Sequence, residues 1–256
     1  TITVIVAVWT VFFLIQGGDR FGGPVVVGFR SWSYFYPLGM ILAPFSHGGT
    51  GHLVGNLVSA AAFAPVAEYA WSHYPRQRGS QSFSSPGTNP FVRILLFVAA
   101  VFVVGLATSL LIPGALIGFS GVVFAFAGAA LVSQPIIAIV ALAGERVIRL
   151  LYFTFNDPLL TQQGQTQFVT PFWADIAVQG HLLGFVIGVL VALALARRRD
   201  EWPTPRYVWG AVLVYGIGKG LYALYWYLGG TRYVLYRGVG AAMVFILAAV
   251  VAIAFL

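Results

Sequence analysis

Residues 91–112 read FVRILLFVAAVFVVGLATSLLI, twenty-two residues whose one charge, Arg93, sits at the leading end. At 1.5 Å per residue this run makes a helix of about 33 Å, enough to cross the hydrocarbon layer of a bilayer. It is apolar all round, so no face is left for water and it reads as a membrane span. Seven more such runs lie at 1–15, 40–70, 117–133, 135–155, 173–196, 206–228 and 237–256, with polar or Gly/Pro-rich breaks between them. The composition agrees: of 256 residues 59% are hydrophobic and 8% charged, with a mean hydropathy of +0.89. Soluble domains carry about 25% charge. A soluble globule is therefore excluded, and the expected fold class is an all-α, polytopic helical membrane protein. The first run begins at Thr1 with no initiator Met, so the given sequence is expected to lack its true N-terminus. A cleaved signal peptide is not the expected reading of that run, since Gln16-Gly17-Gly18-Asp19-Arg20 is not a small-residue cleavage site.

Fourteen Lys and Arg against seven Asp and Glu give a net charge of +7. These charges fall in loops and at span ends rather than in a stripe that could track phosphates, so nucleic acid is not an expected partner. The chain has no cysteine. That removes disulfides, thiolate nucleophiles and Cys-ligated metals, and leaves Ser, His, Asp and Glu to carry any chemistry. Arg76, Arg78, Arg93, Arg197, Arg198, Arg199 and Arg206 share one side if the spans alternate, against Arg20, Arg30, Arg232 and Arg237 on the other. The positive-inside tendency puts the first group in the cytoplasm. Arg146 and Arg149 fit this less well, in the outer half of span five, where either Glu145 and Arg149 pair at i and i+4 or the span is short and its outer part an interfacial helix. The aromatics Phe21, Phe29, Trp32, Tyr34, Phe35 and Tyr36 mark 16–37 as a loop at headgroup level. Residues 156–171 read as an aqueous loop and 76–90 as a cytoplasmic connector.

Polar groups within hydrocarbon are costly and face a packed interior or a wet cavity, so they are the functional candidates. They gather at His47, His52 and Asn56 in span two, Ser120 at the head of span four, and Asp175 and His181 in span six. His52 and Asn56, four apart, stack on one helix face. Ser120 follows the breaker Pro113-Gly114, which puts its hydroxyl at a helix N-terminus, where free N–H groups can stabilise an oxyanion. Gly184 and Gly188 follow His181 at i+3 and i+7. A matching face of Gly121, Ala125 and Gly128 or Ala129 would let spans four and six meet backbone to backbone. That contact would bring Ser120 within reach of His181 as nucleophile and general base. Singly, each residue has a plain alternative: a packing serine, a structural histidine, an interhelical His–Asn bond. Their conjunction on three spans, each with small neighbours, favours chemistry.

In three motifs the chain resembles the rhomboid intramembrane serine proteases: His47-Gly48-Gly49-Thr50-Gly51-His52-Leu53-Val54-Gly55-Asn56, Gly118-Phe119-Ser120-Gly121-Val122-Val123, and Gly180-His181-Leu182-Leu183-Gly184-Phe185-Val186-Ile187-Gly188. The resemblance covers about residues 1–199. It implies a six-helix catalytic core with Ser120 as nucleophile and His181 as base. The side chains of His52 and Asn56, with the Ser120 N–H, would form the oxyanion hole. Gly118, Gly121, Gly184 and Gly188 are read as helix-packing support. The resemblance further implies that the 16–37 loop lies partly in the outer leaflet and that span five tilts to admit substrate sideways. Many members carry an adjacent Trp-Arg pair in the first loop. Here Arg30 and Trp32 stand in reversed order around Ser31, and no role is carried onto them. Residues 200–256 form two additional spans outside that core.

The expected function is cleavage of transmembrane segments of other membrane proteins in the cell membrane, with no cofactor or metal. The alternatives are a catalytically silent relative that binds transmembrane clients, and a transporter, suggested by Lys219 and eight spans. The transporter is disfavoured by the lack of visible repeats and acidic relays. Lys219 is more simply read as snorkelling or pairing with a neighbouring helix. A zinc protease would want His-Glu-x-x-His, which is missing. An aspartyl protease needs two aspartates at membrane depth, and only Asp175 is near a span, where it reads as an N-terminal helix charge.

Overall fold

The computed structural model describes residues 1–20, 22–31, 33–71, 83, 84, 86, 88–112, 116–156, 177–219 and 237–256. The helices are α1 (Ile2–Thr10), continued by a wider π turn over Val11–Ile15, α2 (Pro37–Leu42), α3 (Thr50–Ala70), α4 (Pro90–Leu111), α5 (Ser120–Ser133), α6 (Pro135–Asn156), α7 (Ala177–Arg199), α8 (Pro205–Gly218) and α9 (Arg237–Ile253). Four of them start on a proline, whose missing N–H costs nothing in the first turn and whose φ already suits a helix. At α4 the start is reinforced by Asn89, whose side-chain oxygen accepts from the N–H of Phe91 at 2.9 Å and of Val92 at 3.4 Å. The chain is an all-α, polytopic helical membrane protein, with no strand among the described residues. Thr50–Ala70, Pro90–Leu111 and Gln179–Arg199 are long and apolar enough to cross a bilayer, and Ile2–Ile15, Ser120–Ser133 and Ala242–Ile253 are shorter apolar helices.

Small and apolar side chains on every face suit α5 to the centre of the bundle, and eleven of its residues, Gly121 to Gly128 and Ala130 to Val132, are buried. It lies between α3 and α7, with α4, α6 and α8 also against it, and α9 packs on α8. Between α5 and α7 the backbones themselves meet. A Cβ added to Gly184 would run into the Gly121 carbonyl, one on Gly188 into the Ala125 carbonyl, and one on Gly128 into the Phe185 carbonyl. The small-residue faces read from the sequence thus mesh in register, as close helix packing in a membrane demands.

Two boundaries differ from the sequence reading. The apolar stretch 40–70 is two helices rather than one span: α2 passes into a 3₁₀ turn over Ala43–Phe45, and the chain is extended at Ser46 before α3 begins at Thr50. Pro44, which has no N–H to give, and the Gly48-Gly49 pair break the helix there. Span four starts at Ser120 itself, with Ile117 to Phe119 outside the helix. Several expected features lie outside the described residues: Phe21, Trp32, Arg76, Arg78, Pro113-Gly114, Asp175, Arg232, most of the 76–90 and 156–171 connectors, the start of span six and residues 220–228 of span seven.

Candidate active site

Two helix ends deliver the central pair. Ser120 is the first residue of α5, and His181 lies in the first turns of α7. With Gly184 pressed on the Gly121 carbonyl, the two helices are too close for any spacer, and His181 Nε2 comes to 2.8 Å from Ser120 Oγ. The imidazole is held from behind by Phe124, whose ring stacks on it with centroids 4.3 Å apart and planes 8° from parallel. Phe124 is four residues beyond Ser120 and so occupies the same face of α5 one turn away.

The loop entering α5 carries the second set of groups. Gly118 has φ of +132°, a conformation that suits glycine, and its amide donates to the Ala43 carbonyl at 2.9 Å. A side chain here would also collide with His52: an added Cβ would stand 2.9 Å from its Nε2 and 3.7 Å from Asn56 Nδ2. The structure therefore brings His52 and Asn56 of α3 against the backbone two residues before Ser120. Gly118, expected to support helix packing, lies ahead of the helix and instead makes room for these side chains. Gly121 turns its Cα toward Thr108 of α4, where an added Cβ would stand 2.9 Å from the methyl group, while its carbonyl meets Gly184. A cavity beside Ser120 is lined by Thr108, Ser109, Gly118, Gly121 and Gly180 among others.

His47 has a part the sequence did not reveal. It sits in the break before α3, fully buried, and Asn56 Nδ2 lies 3.0 Å from its Nε2. An amide nitrogen only donates, so His47 accepts one of its two hydrogens and leaves the other to point elsewhere. His47 is itself held by Gln16, whose Oε1 accepts from the His47 N–H at 2.8 Å while its Nε2 donates to the His47 carbonyl at 3.0 Å and to Val25 O at 2.9 Å. Gln16 is 1% exposed. Its position after α1 in a glycine-rich stretch resembles a loop, and only the fold shows that its amide is buried.

Among the described residues, Glu68 and Glu145 lie away from this cluster. Glu68 accepts from the Thr1 hydroxyl at 2.5 Å, near the far end of α3. Glu145, for which a pair with Arg149 is one of two sequence readings, is held by Lys219 and Ser59; the Arg149 side chain is outside the described residues. The first loop is tied down beside the site. Ser31 N–H donates to Leu116 O at 3.1 Å and the Tyr34 hydroxyl to Leu110 O at 2.8 Å, while Phe35 stands 99% exposed.

A family model described as the Rhomboid domain matches residues 34–198, which takes in α2 to α6, α7 up to Arg198, and all of the residues above except Thr1, Gln16, Val25, the first loop's Ser31, and Lys219. Comparison with curated proteins and with solved structures gives no match.

Proposed function

Since the chain belongs to the rhomboid family, whose members are for the most part intramembrane serine proteases, we propose that it is an intramembrane serine endopeptidase that cuts transmembrane segments of other membrane proteins. The observation that supports this best is the 2.8 Å separation of His181 Nε2 and Ser120 Oγ. The Ser120 hydroxyl donates to Nε2, and as Oγ attacks the scissile carbonyl carbon His181 takes its proton. The carbonyl oxygen gains negative charge and is met by the second Asn56 amide hydrogen, a ring N–H of His52 and the Ser120 backbone N–H. Collapse of the tetrahedral intermediate breaks the C–N bond. His181 passes its proton to the leaving amine, and water, deprotonated by the same histidine, then releases the acyl group.

In this reading residues 1–199 are the catalytic core and 200–256 two added helices. The Arg197–Arg199 end of α7 faces the cytoplasm of a cell membrane. His181 is eighteen residues from Arg199, about 27 Å along the helix, so the cut falls toward the outer side. A peptide bond in a regular helix is shielded by its own hydrogen bonds. Substrates are therefore expected to carry small residues at the cut and Gly or Pro nearby. Mass-spectrometric mapping of a cleaved single-pass substrate tests this, and a cut within an unbroken Leu-rich helix contradicts it.

The oxyanion assignment has its own test. Asn56→Ala and His52→Ala should each lower turnover by roughly a hundred to a thousandfold. Because both serve one acceptor, the double variant should lose less than the sum in free energy. Initial rates and melting temperatures measured on the same preparations decide the matter. Normal turnover per folded Asn56→Ala molecule would make the residue a structural tie instead.

A further inference from the structure

α8 lies beyond the residues that match the family, yet two of its side chains reach the elements that carry the site. Lys219, at its C-terminal cap, donates to both carboxylate oxygens of Glu145 at 2.6 and 2.7 Å. The same carboxylate accepts from Ser59 Oγ of α3 at 2.6 Å, and it is wholly buried. Glu145 is ten residues into α6, about 15 Å from its start, a depth at which an unmatched charge is costly. A second tie runs beside it, from Arg146 Nη2 to the Gly218 carbonyl at 2.6 Å. Ser59 is three residues after Asn56, on the adjoining turn of α3. One turn before Lys219, the buried Tyr215 ring meets Phe63, Phe124 and Phe185 at centroid distances of 5.6, 5.8 and 5.8 Å. Phe124 is the ring that stacks on His181.

We propose that α8 is a working part of the candidate site, with Lys219 and Tyr215 as positioning residues. Lys219 acts through Glu145 and Ser59 on the stretch of α3 that bears His52 and Asn56. Tyr215 acts through Phe124 on the imidazole of His181. A buried ion pair adds little net stability compared with apolar side chains of the same volume, but it admits one geometry and is sensitive to the loss of either partner. That suits the pair to holding three helices in register. The proposal rests on the reading of Ser120 and His181 as a protease dyad.

The test uses the full chain in lipid vesicles, with turnover and KM per folded molecule and the rate of fluorophosphonate labelling as readouts. Lys219→Met should lower kcat and the labelling rate by roughly ten to a hundredfold, the scale of a displacement of an ångström or less, with KM little changed. Lys219→Arg, which keeps the charge, should restore most of both. Tyr215→Leu leaves no charge unpaired and carries the test if Lys219→Met does not fold; it should slow both by about tenfold. Wild-type kcat and labelling rate per folded molecule in the folded variants would overturn the proposal and leave α8 a structural helix. A wild-type chain that neither cleaves nor labels would instead sink the protease reading, and this proposal with it.

Discussion

Ser120→Ala is expected to reduce cleavage of a transmembrane substrate to background, a loss on the order of a millionfold where nucleophile and base act as one unit. His181→Ala should lose about as much, and the double variant scarcely more, since either change alone stops proton transfer from Oγ. The size of this effect follows from what surrounds the pair. The chain has no cysteine to substitute as nucleophile, and Ser109, the other serine lining the cavity, belongs to α4 rather than to the helix end that faces His181. Initial rates on purified protein in vesicles, with the products identified by mass, measure it. Cleavage by Ser120→Ala at more than about a hundredth of the wild-type rate is far above what a lost nucleophile leaves and would point to different chemistry.

Gly184→Val is expected to cost more than roughly a hundredfold in turnover with every chemical group left in place. The added Cβ would overlap the Gly121 carbonyl, and that is backbone in the middle of the bundle, which cannot turn aside as a side chain would. α7 must therefore move off α5 at the level where His181 meets Ser120. Overpacking of this kind also costs about 1–3 kcal/mol of stability. Thermal unfolding should be recorded beside turnover so that the loss is expressed per folded molecule. Gly188→Val meets the Ala125 carbonyl in the same way but one turn further from the dyad, so its effect on turnover should be the smaller of the two. Full activity in Gly184→Val would mean that the dyad does not depend on the α5–α7 contact.

The three long apolar helices, Thr50–Ala70, Pro90–Leu111 and Gln179–Arg199, were legible in the sequence because a bilayer sets a minimum length for an apolar run, and 91–112 meets it whatever its neighbours do. Ser120, His181, His52 and Asn56 stood out for a related reason: polar residues are rare in such runs. What escaped notice depends on distant parts of the chain. The break at Gly48-Gly49 was hidden inside an apolar stretch, and with it the placement of His47 off the helix, where it can hold Asn56. Phe124 is one aromatic among the 21 phenylalanines of an apolar chain, and only the packing of α5 on α7 marks it out. Pairing of Lys219 with a neighbouring helix is one sequence reading, but its partner Glu145 is 74 residues away and follows from the way α8 docks rather than from any local pattern.

The assignment of Ser120 as an activated nucleophile is tested most directly by treating the protein in detergent or vesicles with a fluorophosphonate and locating the adduct by peptide mass spectrometry. The expected result is a single phosphonylated residue, Ser120, formed in the wild type, nearly lost in His181→Ala, and missing in Ser120→Ala. A folded wild-type protein that takes up no label, or an adduct of equal yield in Ser120→Ala, would contradict it.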